Sequence, residues 1–150
     1  DRSNPMSPWF EEPQTRLDPG VALVVDDSRA MRLLLARSLN RCGFRALEAG
    51  DGFAAMDLLD SLGAVSLLLV DWTMPTMSGV ELIRRIREDR RFADVPVLMV
   101  SSETAPDRMG EALEAGADDY LMKPFDAAML ASKLELLGFE IADPEAMVEA

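Results

Sequence analysis

This sequence predicts an α/β fold: one five-stranded parallel sheet, doubly wound, with helices on both faces in three layers. Three observations carry the prediction. Short apolar runs rich in β-branched residues recur along the chain from Val21 onward. Each is followed by a stretch whose apolar residues fall at helical spacing. Gly, Ser or Asp punctuates most junctions, where caps and turns are expected. Five strand–helix units in succession call for a parallel sheet covered on both sides, with right-handed crossovers.

The elements follow in order. Val21-Ala22-Leu23-Val24-Val25 is apolar throughout, as a strand buried on both faces should be. Met31, Leu34, Leu35, Ser38 and Leu39 then mark one side of a helix that closes at Gly43. Phe44 to Ala49 reads as the second strand, and Ala55, Leu59 and Leu62 define a second helix ending at Gly63. Val65 to Val70 is the third strand, apolar except for Ser66. Ser78-Gly79-Val80-Glu81 has the form of a capping box and opens a helix with Leu82, Ile83 and Ile86 on one face. Val95 to Val100 is the fourth strand; Pro96 is tolerable near its start, where a missing donor matters less. Met109, Ala112, Leu113 and Gly116 give a fourth helix, and Tyr120-Leu121-Met122 a short fifth strand. Asp126 can cap a last helix carrying Leu130, Leu134 and Leu137.

Composition bounds the function. The 150 residues suit one domain, and 49% hydrophobic with 28% charged residues is a globular mix. A net charge of -12 argues against a nucleic-acid partner, which needs a basic face, and against anionic membranes. With one cysteine and no histidine, neither an intrachain disulfide nor a His/Cys zinc site nor a His-based triad can form. No apolar run reaches the ~18 residues of a membrane span, and the polar, Pro-rich start is unlike a secretory signal. The expectation is a cytoplasmic, soluble monomer. Residues 1–18 read as an N-terminal arm, 19–138 as the folded domain and 139–150 as a tail. Met6 is a plausible native start, and Trp9 and Phe10 are expected to rest on the domain surface. Arg84, Arg85, Arg87, Arg90 and Arg91, interrupted by Glu88 and Asp89, read as a solvated helix end, where cations are favoured. The ten Met residues read as core filling and Cys42 as an inert thiol.

Parallel sheets bind ligands at the carboxyl ends of their strands. There the sequence places Asp26 and Asp27 after strand 1, Asp71 after strand 3, Ser101 after strand 4 and Lys123-Pro124 after strand 5. Taken singly, each is an ordinary turn former, helix cap or solvated lysine. Together, three carboxylates, a hydroxyl and an ammonium converge on one edge. At ~5 Å and an effective dielectric near 20, each carboxylate pair repels by about 3 kcal/mol, a cost that a cation would relieve. Carboxylates, carbonyls and water suit Mg²⁺. A carboxylate can also attack phosphorus to form an aspartyl phosphate, whose oxygens would need a cation, a lysine and a hydroxyl donor.

That set, in Val24-Val25-Asp26-Asp27-Ser28, Asp71-Trp72-Thr73-Met74-Pro75, Ser101-Ser102-Glu103 and Tyr120-Leu121-Met122-Lys123-Pro124-Phe125, resembles the receiver domain of two-component response regulators. The resemblance spans residues 19 to 138 and is nearest to the chemotaxis-type, CheY-like single-domain receivers. It implies a flavodoxin-like sheet with strand order 2-1-3-4-5. It makes Asp71 the phosphoacceptor, with Mg²⁺ held by Asp27, Asp71 and the backbone carbonyl of Thr73, and by Asp26 through water. Lys123 would contact Asp71 and then the phosphoryl group, and its peptide bond to Pro124 would be cis, as in the family. Ser101, in place of the commoner threonine, would bond a phosphoryl oxygen, and the Tyr120 ring would turn inward in response. Thr73 and Glu103 would tune dephosphorylation. The implied partners are a histidine kinase of CheA type and an output protein, such as a flagellar motor switch, on the face formed by the fourth helix, fifth strand and fifth helix. That face is expected to be acidic, with Glu103, Asp107, Glu111, Glu114, Asp118 and Asp119 against Arg108.

Three alternatives remain open at this stage. A Mg²⁺-dependent phosphohydrolase with an Asp nucleophile would want a second acid two residues after Asp71, where Thr73 stands. An FMN binder would want a Ser/Thr/Gly-rich first loop in place of Asp26 and Asp27. A receiver acting as a phosphate sink, or cut from a larger regulator, would share every motif above.

Overall fold

The structure is a computed structural model and describes residues 19–102 and 106–141. The arm, Glu103 and the chain beyond Ile141 lie outside the described residues. The sheet contains β1 (Val21–Val25), β2 (Arg45–Ala49), β3 (Leu67–Asp71), β4 (Val97–Ser101) and β5 (Asp119–Met122). The helices are α1 (Arg29–Arg41), α2 (Gly52–Leu62), α3 (Gly79–Glu88), α4 (Pro106–Ala115) and α5 (Ala127–Leu136), with a short 3₁₀ turn at Arg90–Phe92. All pairings are parallel, in the order β2-β1-β3-β4-β5.

The layering follows from the period of two along the central strands. Leu23, Val25, Leu68, Val70, Val97 and Met99 point to one side and pack with Ala55 and Leu59 of α2, Ile83 and Ile86 of α3, and Ala112 of α4. Ala22, Val24, Leu67, Leu69, Leu98 and Val100 point to the other and meet Leu35 and Leu39 of α1 and Leu130 and Leu134 of α5. Ser28, Asp51, Ser78 and Asp126 each accept an N–H three residues on and so start α1, α2, α3 and α5. The capping box at Ser78 is half made. Ser78 Oγ accepts from Glu81 N at 3.1 Å, but the Glu81 carboxylate pairs with Arg85 at 2.7 Å.

Several expectations shift. β3 and β4 begin later and end one residue later than the apolar runs suggest, so Asp71 and Ser101 close their strands. Their register explains this: Asp71 lies opposite Val100 and Ser101 opposite Met122, and the ladders run on to include them. Pro96 precedes β4, though its carbonyl still accepts from Leu68 N at 2.9 Å. Leu34 and Leu113 are half exposed, one step around their helices from the buried rows. The packed chain runs past Gly138, because Phe139 meets Phe44 edge to face at 5.0 Å and Ile141 is buried. Cys42 is half-buried, and burial pushes its thiol up to about 11, which makes it a poor nucleophile.

The arginine run is not simply a solvated face. Arg87 donates to the Gly116 carbonyl at 3.0 and 2.8 Å, to Phe92 at 2.9 Å and to Ala93 at 3.1 Å, and pairs with Asp118 at 3.0 Å. Arg91 bridges Asp60 and Asp89. Counting charges along a helix cannot reveal this, because the acceptors of Arg87 include backbone carbonyls, one of them 29 residues away.

Candidate functional site

The C-terminal edge of the sheet gathers the residues expected there. Asp26 follows β1 and is buried; Asp71 ends β3 and is buried; Ser101 ends β4 and is buried. Asp27 is exposed beside them. One carboxylate oxygen from each of Asp26, Asp27 and Asp71 lies within 4.8 Å of the others. Lys123 leaves β5 with its N–H donated to the Ser101 carbonyl at 2.9 Å. Its ammonium reaches back to Asp26 and to Asp71, at 3.2 Å from each. The Lys123–Pro124 bond is cis, as the resemblance implies.

Local chemistry holds the acids in place. Asp26 Oδ1 accepts the N–H of Ser28 at 2.8 Å, and the Asp26 N–H is donated to Ala49 O at 3.2 Å. Arg32, one turn into α1, donates to the Asp26 carbonyl at 2.7 Å while pairing with Glu48 of β2 at 3.2 Å. Sequence reasoning missed Arg32, whose only local signal is its place one turn after the Ser28 cap. The loop after Asp71 is also closed: Gly79 N donates to Trp72 O at 2.8 Å and Met77 N to Pro75 O at 2.7 Å. A Cβ at Gly79 would stand 2.1 Å from the Asp71 carbonyl oxygen, so only glycine fits where α3 begins. Thr76 takes φ 68, a left-handed conformation within this tight loop.

The electrostatics are unbalanced. Burial raises the Asp71 pKa, the charge of Asp26 raises it further, and Lys123 works in the opposite direction. Burial opposes the charge on Lys123, yet Asp71 and Asp26 together hold its pKa above the ordinary lysine value. Part of the expected repulsion is thus offset within the chain, since Lys123 bridges two of the three acids. Three carboxylates around one ammonium still leave negative charge over, and an all-oxygen donor set of this kind can hold a hard divalent cation such as Mg²⁺.

Other expected residues fall nearby. Thr73 is exposed, two residues past Asp71. Tyr120 is already buried, within the cluster that contains Met99 and Trp72. On the acidic edge, Asp118 pairs with Arg87 and Asp119 with Lys133 at 2.9 Å, so two of the expected free acids are neutralised. Arg108 lies over the Trp72 ring, 5.5 Å from its centroid.

The sequence profile described as the response regulator receiver domain matches residues 22–135. The chain belongs to the response regulator receiver domain family. This receiver is 39% identical over 116 residues to chemotaxis protein CheY1 of Helicobacter pylori, covering 77% of this chain and 94% of that one. It is 42% identical over 114 residues to chemotaxis protein CheY of Pseudomonas aeruginosa, covering 75% and 91%. Among solved structures it superposes on Vibrio cholerae chemotaxis protein CheY4 with a TM-score of 0.74 at 29% identity, covering 78% of this chain and 97% of that one. A response regulator from Thermotoga maritima gives a TM-score of 0.70 at 32% identity, covering 81% and 98%. Membership makes the receiver a two-component signalling domain, not a classical enzyme, and sets aside the phosphohydrolase and FMN readings. Among the described residues, no helix is long and apolar enough to cross a membrane.

Proposed function

We propose that this receiver is a phosphoacceptor switch that takes a phosphoryl group from a histidine kinase onto Asp71. The observation that carries the reading is the Asp71 carboxylate, buried at the end of the central strand β3 and 3.2 Å from the Lys123 ammonium, with two further acids beside it. Asp27, Asp71 and the Thr73 carbonyl would hold Mg²⁺, with Asp26 acting through water. A bound Mg²⁺ would offset phosphoryl charge as it develops. Asp71 would present an oxygen to phosphorus, and Lys123, already within reach of that carboxylate, would follow the charge onto the phosphoryl oxygens. Ser101, at the end of the adjacent strand, would donate its hydroxyl to another of those oxygens. Thr73 and Glu103 would govern the approach of the water that later releases phosphate.

The output face would be α4, β5 and α5. Among the described residues Asp107, Glu111 and Glu114 of α4 and Glu135 of α5 form no salt bridge, and this acidity would favour a basic partner. Phosphorylation would shift a pre-existing equilibrium. Because the Tyr120 ring is already inside, the switch would work by holding it there more firmly as Ser101 is drawn toward the phosphoryl group. The chemotaxis names of the relatives favour a kinase of CheA type and a motor-switch partner. The test is labelling with acetyl phosphate and Mg²⁺. One hydroxylamine-labile phosphoryl group per chain is expected, absent from Asp71→Asn; equal labelling of that variant would overturn the assignment.

A further inference from the structure

The acceptor carboxylate is one of three around a single ammonium, in a chain of net charge -12. A phosphoryl donor is itself anionic, so its approach to this edge runs against the field. One exposed cation contacts the residue that follows Asp71. Arg108 is in the first turn of α4, a helix that otherwise carries only the acids Asp107, Glu111 and Glu114. Its guanidinium lies 5.5 Å from the centroid of the Trp72 ring, and Trp72 is the residue directly after Asp71. Trp72 is buried, so the ring is a fixed platform and orients the guanidinium stacked on it. Among the described residues Arg108 meets the Trp72 ring and forms no salt bridge, and its guanidinium carries the N–H fork that an anion would take.

We propose that Arg108 is a phosphoryl-donor recognition residue, held against Trp72 to draw anionic donors to Asp71. The inference rests on Asp71 being the acceptor. In the reaction with acetyl phosphate, a carboxylate oxygen of Asp71 bonds to phosphorus, the bond from phosphorus to the acetyl oxygen breaks, and acetate leaves with that electron pair. Arg108 forms and breaks no bond. It contacts the donor's oxygens on entry, so its contribution falls on the dependence of rate on donor concentration.

The experiment measures incorporation of labelled phosphate at saturating Mg²⁺, as the slope of observed rate against donor concentration. Acetyl phosphate, a dianion, is compared with phosphoramidate, which carries less net negative charge. Arg108→Met keeps an unbranched apolar chain on the ring and removes the charge; Arg108→Lys keeps the charge. The expected result is a loss of about two- to fivefold in the acetyl phosphate slope for Arg108→Met, the range of an exposed charge contact. Arg108→Lys should retain most of the parent rate, phosphoramidate should respond less, and the difference should shrink in 0.5 M salt. Parent-like slopes in Arg108→Met would overturn the proposal, as would equal losses with both donors, which would mean a merely structural role. Asp71→Asn separates the two readings: if it labels like the parent, the acceptor assignment itself fails and this inference with it.

Discussion

Two cations tie the ends of the sheet together, and they do so differently. At the N-terminal end of the strands, Arg87 makes four bonds to backbone carbonyls at 2.8 to 3.1 Å and meets one carboxylate, Asp118. Asp118 in turn accepts the N–H of Val97, the first residue of β4, at 2.8 Å. At the C-terminal end, Lys123 stands at 3.2 Å from each of two carboxylates, with a third close by. The first cation is fully engaged and its charge is matched. The second is shared and outnumbered. One end of the sheet is thus arranged for stability, while the other retains excess negative charge that a divalent cation would offset.

The contrast can be broken most directly at Arg87. Arg87→Ala should destabilise the fold by about 3 kcal/mol in urea unfolding, because it strands several carbonyls at once. Arg87→Lys should recover little, since an ammonium lacks the planar fork. A loss below about 1 kcal/mol would mean that this end is no better secured than the other.

Mg²⁺ should act on the opposite end alone. At 100 times its dissociation constant, linkage gives about 2.7 kcal/mol of added stability. The gain should persist in Arg87→Ala and disappear in Asp27→Asn, as followed by melting temperature and by Trp72 fluorescence. Absence of any shift at millimolar Mg²⁺ in the parent would remove the metal from the account.

A smaller effect is expected from Asp71→Asn in metal-free protein, a gain of about 1 kcal/mol at neutral pH through relief of repulsion. The sign follows from the raised pKa of Asp71. The folded chain holds that proton more tightly than the unfolded chain, so stability from this group is present in acid and lost as pH rises through the raised value. The advantage of Asp71→Asn over the parent should therefore grow from about pH 4 upward. An advantage that is flat with pH would sink the explanation. Smallest of all, Thr73→Ala or Glu103→Ala should change the decay of the phosphorylated form several-fold without altering Mg²⁺ affinity by more than about twofold. Identical decay in both variants and the parent would exclude them.

The end proposed to carry the chemistry was the more legible in sequence. Asp26, Asp27, Asp71, Ser101 and Lys123 all follow or close apolar runs, and a parallel sheet brings such positions to one edge whatever the details of packing. Strand identity was legible for the same reason. The stabilising end was not: the acceptors of Arg87 are carbonyls of Phe92, Ala93 and Gly116, and a carbonyl leaves no mark in a sequence. The same limit hid Arg32, which holds a carbonyl of the acid loop, and the pairing of Asp119 with Lys133, 14 residues apart. Exposed Leu34 and Leu113 show a further limit, since a half-step of helix phase decides burial and apolar spacing alone does not fix it.

Gly79 gives the site a mechanical asymmetry. With the Asp71 and Trp72 carbonyls both set against its backbone, α3 is welded to the acceptor strand and behaves as an anvil. A change at Asp71 would then have less room to spread into α3 than toward β4 and β5, whose ends hold Ser101 and Lys123. A complete substitution library at position 79 should return glycine alone, because any Cβ there would collide with the Asp71 carbonyl oxygen.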